Sequence, residues 1–194
     1  KRTPNASSIT TAQVREQKIM LQVITLFKNL HQSTTPFKNK FDLLAYMKHY
    51  EHIVRHVNKR QSNKLLAYKQ KIMQLLSVYS SLPVKMVPCH IVAAPSNILY
   101  SKDQNKLYLI DWEYSGMFDP FWDIATIFMR LHLTEKEQRL FLKHYLGRHP
   151  SQEEILRLLL HSIFQDYLWG FWSLYKEGKG EESVSDFPIR YQRL

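Results

Sequence analysis

The sequence predicts a mainly helical α+β fold that carries one small β-hairpin. Apolar residues recur at spacings of three and four through most of the chain, which is the helical period. Two short β-type runs, 98–100 and 107–110, flank a polar connection suited to a hairpin. The chain has 194 residues, 44% of them hydrophobic, which fits one domain or one large lobe with a sizeable core.

The helices before the hairpin follow from this periodicity. Residues 1–10, rich in Ser, Thr and Asn, are expected to be a flexible lead-in. The first helix is predicted over about 11–30, and its apolar residues share one face. These residues are Ile19, Met20, Val23, Ile24, Phe27 and Leu30. Two more helices are predicted over about 40–58 and 63–80, before prolines interrupt the chain.

Helical patterns return after the hairpin. They cover about 122–133, 135–146 and 152–175, and a polar tail with Gly178 and Gly180 follows. The sequence contains no internal repeat. Residues 11–194 are therefore predicted to form a single lobe.

Composition excludes several classes of protein. The longest apolar runs are shorter than 18 residues, and the polar, basic start does not match a signal peptide, so we expect a cytoplasmic protein without a membrane partner. Cys89 is the single cysteine, which excludes an internal disulfide and a cysteine-based metal site. The formal charge of +10 is dispersed among apolar residues, as on solvated helix faces. This charge also raises the hypothesis of a basic nucleic-acid-binding protein. That hypothesis is disfavoured because no predicted helix is dense in Arg and Lys.

Three ordered motifs carry the information about function. The first is Cys-His-x-x-x-x-Pro-x-Asn over residues 89–97, and the second is Leu-Tyr-Leu-Ile-Asp-Trp-Glu-Tyr-Ser-Gly-Met-x-Asp-Pro-x-Trp-Asp-Ile-Ala over 107–125. The third is Leu-Trp-Gly-Phe-Trp-Ser over 168–173. Together they resemble the choline and ethanolamine kinases, and most closely the bacterial LicA-type choline kinases, relatives of the aminoglycoside phosphotransferases. The helix ending in Leu30-His31 also resembles, more weakly, a helix of these enzymes that contains a Leu-His pair.

The resemblance implies the large, C-terminal lobe of a kinase-like phosphotransferase, with the metal site on the hairpin. Asn97 and Asp111 would then be the Mg²⁺ ligands, and their oxygens are the donors that Mg²⁺ prefers. Taken singly, Asn97 could be a turn residue and Asp111 a cap or turn former. Paired across a hairpin, they favour a metal site. His90 would orient the loop, and Asp123 would anchor it by accepting hydrogen bonds.

The acceptor site implied by the resemblance is built from aromatic residues. Trp169 and Trp172 share one helix face, and Tyr175 follows them. Indole faces attract a quaternary ammonium by cation–π contact. Glu113 and Tyr114 would lie where the nucleotide and acceptor pockets meet. The alternative is that the Trp-Phe-Trp run simply belongs to the core.

Three departures from the family pattern bear on activity. Val92 stands where the related enzymes have the carboxylate that accepts the hydroxyl proton. Arg130 stands where related choline kinases often carry a Glu near the cationic substrate, so it would repel choline unless it points to solvent. The sequence also has no Gly-rich strand-turn-strand and no Val-Ala-Ile-Lys-like strand, so the N-terminal, ATP-clamping lobe is expected to be absent from these residues.

Two functions remain open at the level of sequence. The first is a choline kinase-type transferase lobe, which in active relatives moves the γ-phosphoryl group of ATP to choline or a related amino alcohol with Mg²⁺, giving phosphocholine. Its activity in this chain is expected to be impaired by Val92. The second is a catalytically dead module that retains a pocket for a quaternary amine.

Overall fold

The computed structural model describes residues 5–181 and 186–194. Two compact units can be distinguished: Lys1–Phe41 with Val84–Leu158, and Asp42–Pro83 with Leu159–Leu194. The helices in the described residues are α1 (Thr11–Arg15), α2 (Gln17–His31), α3 (Leu43–Val57), α4 (Lys59–Leu66), α5 (Lys69–Ser80), α6 (Pro120–Arg130), α7 (Glu135–Leu146), α8 (Gln152–Glu177) and α9 (Phe187–Arg193). The strands are β1 (Ala6–Ser8), β2 (Val87–Cys89), β3 (Ile98–Ser101), β4 (Lys106–Leu109) and β5 (Gly116–Phe118).

The mainly helical fold with a small hairpin is confirmed. Strands β3 and β4 pair antiparallel, with Ile98 opposite Leu109, and α7 has the predicted bounds. The predicted helix over 11–30 is interrupted at Glu16, whose extended backbone ends α1 and begins α2. The predicted helix over 63–80 is two helices, α4 and α5, and α4 already begins at Lys59 because Asn58 caps it.

Several short elements were not predicted. Strand β1 pairs with β3, with Ser7 opposite Tyr100, so residues 6–8 are not a frayed lead-in, whereas residues 1–4 lie outside the described residues. Strands β2 and β5 pair with each other and have three residues each, too few to show an alternating pattern. Helix α9 occupies part of the predicted polar tail.

The core of the first unit surrounds the hairpin and α6. Buried side chains of α2, α6, α7 and the hairpin form one apolar cluster, in which Phe27, Ile98, Ile124 and Phe141 have no exposed surface. This cluster fixes β3, β4 and α6: Asn97 precedes β3, Asp111 lies just after β4, and Asp123 lies in α6.

The second unit has its own core. Met47, Val54, Leu65, Phe164 and Phe171 are at most 2% exposed. Six of the seven basic residues predicted on solvated helix faces are exposed, namely Lys48, Arg55, Lys59, Arg60, Lys64 and Lys71. The seventh, Lys69, is half-buried and pairs with the buried Glu51 at 2.5 Å.

Candidate active site

The loop after β2 is held by one buried carboxylate. The backbone N–H groups of His90 and Ile91 donate to the two oxygens of Asp123, at 2.7 and 2.8 Å. Ile91 has φ +72°, which is rare for a β-branched residue. Successive N–H groups that converge on an anion form a nest, so Asp123 holds the strained turn in place.

Asp123 is itself positioned by the start of α6. Asp119 caps this helix by accepting from the Phe121 N–H at 2.9 Å, and Pro120 occupies the first helical position. Arg157 donates to both oxygens of Asp119, at 2.9 and 2.5 Å, in an ion pair that is almost fully buried. These contacts fix the first turn of α6, where Asp123 lies.

A histidine from α2 completes the anchor. His31 Nε2 lies 3.1 Å from Asp123 Oδ2, and His31 Nδ1 lies 2.7 Å from the Tyr145 hydroxyl. Because a carboxylate only accepts, the His31 Nε2–H donates to Asp123, and Nδ1 lies within hydrogen-bond distance of the Tyr145 hydroxyl. Burial is the main cause of the raised pKa of Tyr145, which keeps this hydroxyl neutral. In the sequence, only the resemblance of the Leu30-His31 helix to a family helix pointed to His31, and nothing pointed to Tyr145.

Cys89 lies beside this anchor. Its sulfur, a His31 nitrogen and an Asp123 oxygen lie within 4.8 Å of one another, and all three residues are buried. Burial, and then the nearby charges of Asp123 and Asp119, raise the pKa of the Cys89 thiol well above its usual range. The thiol therefore stays protonated and packs as a small apolar group.

The His90 ring links the loop to the hairpin. Its Nε2 lies 2.8 Å from the Ile110 carbonyl oxygen and therefore donates to it. Its Nδ1 is buried and has no hydrogen-bond partner among the described residues. The ring also packs against Trp112, with centroids 4.7 Å apart. The predicted role of His90 in orienting the loop remains a prediction that these contacts support.

Asn97 and Asp111 lie at the same end of the hairpin. The Ile110 N–H donates to the Asn97 carbonyl oxygen at 3.1 Å, and Asp111 is the next residue. The Asn97 amide nitrogen donates to the Val92 carbonyl oxygen at 3.0 Å, while its Oδ1 accepts one long bond of 3.4 Å from Ser96. The amide nitrogen of Asn97 is therefore bonded to the loop, and its amide oxygen remains available to bind a cation.

The carboxylate of Asp111 differs from those of Asp119 and Asp123. Asp111 is exposed, and within residues 5–181 and 186–194 it takes part in no hydrogen bond or ion pair. Its φ is +63°, a conformation enriched in Asp and Asn and often found at functional sites. Of these three acids, Asp111 is the one that could bind a cation without breaking an internal contact.

The other predicted residues of the first unit have mixed surroundings. Val92 and Tyr114 are half-buried, and Glu113 is exposed. Arg130 is exposed at the end of α6.

The three aromatic residues belong to the second unit. Trp169 is buried, whereas Trp172 and Tyr175 are half-buried. The two indoles pack edge to face with centroids 6.4 Å apart. Lys176 Nζ lies 5.6 Å from the Trp172 ring centre, and Lys179 Nζ lies 5.6 Å from that of Tyr175. Both half-buried rings thus already present a face to an ammonium group.

The fold and the anchored loop define a class of protein. The chain has the fold of the large lobe of a kinase-like phosphotransferase, a fold that it shares with aminoglycoside 2′-phosphotransferase-IIIa, solved as a GDP complex. The two are 15% identical with a TM-score of 0.63, over 91% of this chain and 60% of the other. Among the described residues, no helix has both the length and the apolarity that crossing a membrane requires.

Closer relatives give the family. The sequence profile of the choline/ethanolamine kinases matches residues 4–193. Protein LicA of Haemophilus influenzae is 30% identical over 96% of this chain, which spans 71% of LicA. A solved structure of LicA in complex with AMP is 28% identical with a TM-score of 0.76, over all of this chain and 65% of the other. The chain therefore belongs to the choline/ethanolamine kinase family and is of the LicA type.

Proposed function

We propose that this chain is the lobe of a choline kinase-type phosphotransferase that holds Mg²⁺-bound ATP on Asn97 and Asp111. The observation that carries the proposal is the pairing of an uncommitted carboxylate with an amide oxygen at one end of the hairpin. Both are hard oxygen donors, which Mg²⁺ prefers, and phosphate oxygens and water commonly complete its coordination. When bound, the ion would neutralise charge on the transferring phosphoryl group.

His90 and Asp123 serve this site without touching the substrate. Asp123 fixes the strained turn at Ile91, and the His90 ring joins that turn to Ile110. Their role is to hold the distance between the loop and the hairpin. This distance matters because catalysis of phosphoryl transfer depends mostly on positioning and charge stabilisation.

The acceptor is proposed to be choline or a related amino alcohol. The family description supports this class of acceptor, and so do the two half-buried rings that already lie near ammonium groups. Trp172 and Tyr175 would contact the quaternary ammonium, and Trp169 would support Trp172 from the buried side. Glu113 and Tyr114 remain proposed contacts between nucleotide and acceptor.

Val92 is proposed to impair the transfer step. A valine cannot accept the proton of the attacking hydroxyl, and a general base typically contributes about 10² to 10⁴ in rate. Its backbone carbonyl still holds the Asn97 amide, so the loop keeps its shape while the base is missing.

The test is phosphocholine formation from ATP, choline and Mg²⁺ by the whole protein that contains this chain. Val92→Asp is expected to raise the rate by about 10²-fold or more, because it restores a base at this position. Val92→Asn is the matched control, with similar size and no basic oxygen anion, and it is expected to stay near the wild-type rate. A wild-type rate equal to that of Val92→Asp would contradict the role assigned to Val92.

Val92 also favours a second candidate, a quaternary-amine-binding module without transfer activity. Calorimetry with choline separates the two. Choline binding that is lost in Trp172→Ala, together with no phosphocholine from either wild type or Val92→Asp, would support the binding module. Phosphocholine formation by Val92→Asp would support the kinase.

A further inference from the structure

The exposed face of α3 carries three histidines that the proposed function does not use. His49, His52 and His56 follow one another at spacings of three and four residues, so they lie along one side of the helix. All three are exposed. This face belongs to the second unit and contains none of the proposed Mg²⁺ ligands.

Two of these rings lie close together. The ring centroids of His52 and His56 are 5.5 Å apart with an interplanar angle of 72°. Neither imidazole has a hydrogen-bond or ion-pair partner among the described residues. The His49 ring instead packs against Tyr50, at 5.2 Å between centroids.

This separation matches the geometry of a shared metal ion. A zinc–nitrogen bond is about 2.0–2.1 Å, and an imidazole centroid lies about 1.1 Å behind the nitrogen, so the ion would lie about 3.2 Å from each centroid. For nitrogen–metal–nitrogen angles of about 90–110°, the two centroids would be about 4.5–5.2 Å apart. The observed 5.5 Å reaches this range with a small rotation of two exposed side chains.

We propose that His52 and His56 form a two-nitrogen binding site for Cu²⁺, Ni²⁺ or Zn²⁺, with water in the remaining positions. Imidazole suits these late first-row ions, and Cu²⁺ binds most tightly in their usual order. Mg²⁺ prefers oxygen donors, so it does not compete here. The neighbouring exposed cations, Arg55 and Lys59, repel a divalent ion and supply no ligand, so the two imidazoles are the donors.

Calorimetric titration with Ni²⁺ and Cu²⁺ tests this site on protein without a histidine tag and with Mg²⁺ in excess. We expect saturable binding of one ion, and a Cu²⁺ spin-resonance spectrum with two coordinated nitrogens. His52→Ala and His56→Ala should each weaken this binding at least about tenfold, because either change breaks the chelate. His144→Ala is the matched control, since His144 is an exposed histidine of α7, and it should leave affinity unchanged.

The positions are exposed, so the variants should keep the wild-type circular dichroism, and this is measured first. Wild-type affinity in either His52→Ala or His56→Ala, or a spectrum with a single nitrogen in the wild type, would overturn the proposal. Because the measurement involves neither ATP nor choline, its result is independent of the proposed kinase function.

Discussion

Replacing Asp123 with asparagine should be one of the most destabilising isosteric changes in the first unit. The carboxylate accepts hydrogen bonds from the His90 N–H, the Ile91 N–H and the His31 ring. The best orientation of an asparagine keeps its oxygen toward His90 and His31. Its NH₂ group then faces the Ile91 N–H, which loses its acceptor inside the protein.

The size of the effect follows from these contacts. A buried N–H left without an acceptor costs about 1–3 kcal/mol, and each of the two remaining bonds loses about 1 kcal/mol when its acceptor becomes neutral. The free energy of unfolding of Asp123→Asn should therefore fall by about 3–5 kcal/mol. For a chain of this size, that corresponds to a decrease in Tm of about 6–20 °C.

Urea unfolding followed by circular dichroism measures this difference. Asp103→Asn is the matched control, because Asp103 is exposed in the hairpin turn and accepts a hydrogen bond from Asn5. The control should change the unfolding free energy by less than about 0.5 kcal/mol. If Asp123→Asn is as stable as Asp103→Asn, the buried anchor does not hold the loop as described.

Two further predictions concern ion pairs of the first unit. Arg157→Met should lower the unfolding free energy by about 3–5 kcal/mol, because the carboxylate of Asp119 then stays buried without its guanidinium partner. The control Arg139→Ala removes the exposed ion pair with Glu135 and should lower the unfolding free energy by at most about 0.5 kcal/mol. Equal losses in urea unfolding would contradict this. Hydrogen bonds from Arg148 lower the pKa of Glu154, so the advantage of wild type over Glu154→Gln should be full above about pH 4.3 and shrink at lower pH. An advantage that grows on acidification would refute the assignment.

The sequence predicted those parts of the fold that have a long periodic pattern. Helix α7 was predicted with its observed bounds from its periodicity, and in the structure a capping box of Thr134 and Glu137 begins the helix and Gly147 ends it in the left-handed conformation. The break at Glu16 was missed because no proline or glycine marks it in residues 11–19. Strands β2 and β5 were missed because three residues cannot show an alternation.

The candidate site was predicted in part for similar reasons. His90, Asn97, Asp111 and Asp123 stand at recognisable spacings, and contacts of His90, Asn97 and Asp123 join the loop to the hairpin and to α6. By contrast, the contact between Tyr145 and His31 joins residues that are 114 positions apart in the sequence, and no local pattern predicts such a contact. The left-handed turn at Ile91 also could not be predicted, because a β-branched residue normally argues against it.

The most direct test of the central claim is Mn²⁺ binding, in place of Mg²⁺, to the whole protein with a non-hydrolysable ATP analogue, followed by spin resonance. Loss of outer-shell partners alone typically weakens metal binding by about 10–100-fold, so Asp111→Asn, which removes the negative charge of a proposed ligand, should weaken it at least about tenfold. Asp103→Asn, in the turn at the other end of the hairpin, should bind Mn²⁺ like wild type. Wild-type Mn²⁺ affinity in Asp111→Asn would contradict the metal site and the account built on it.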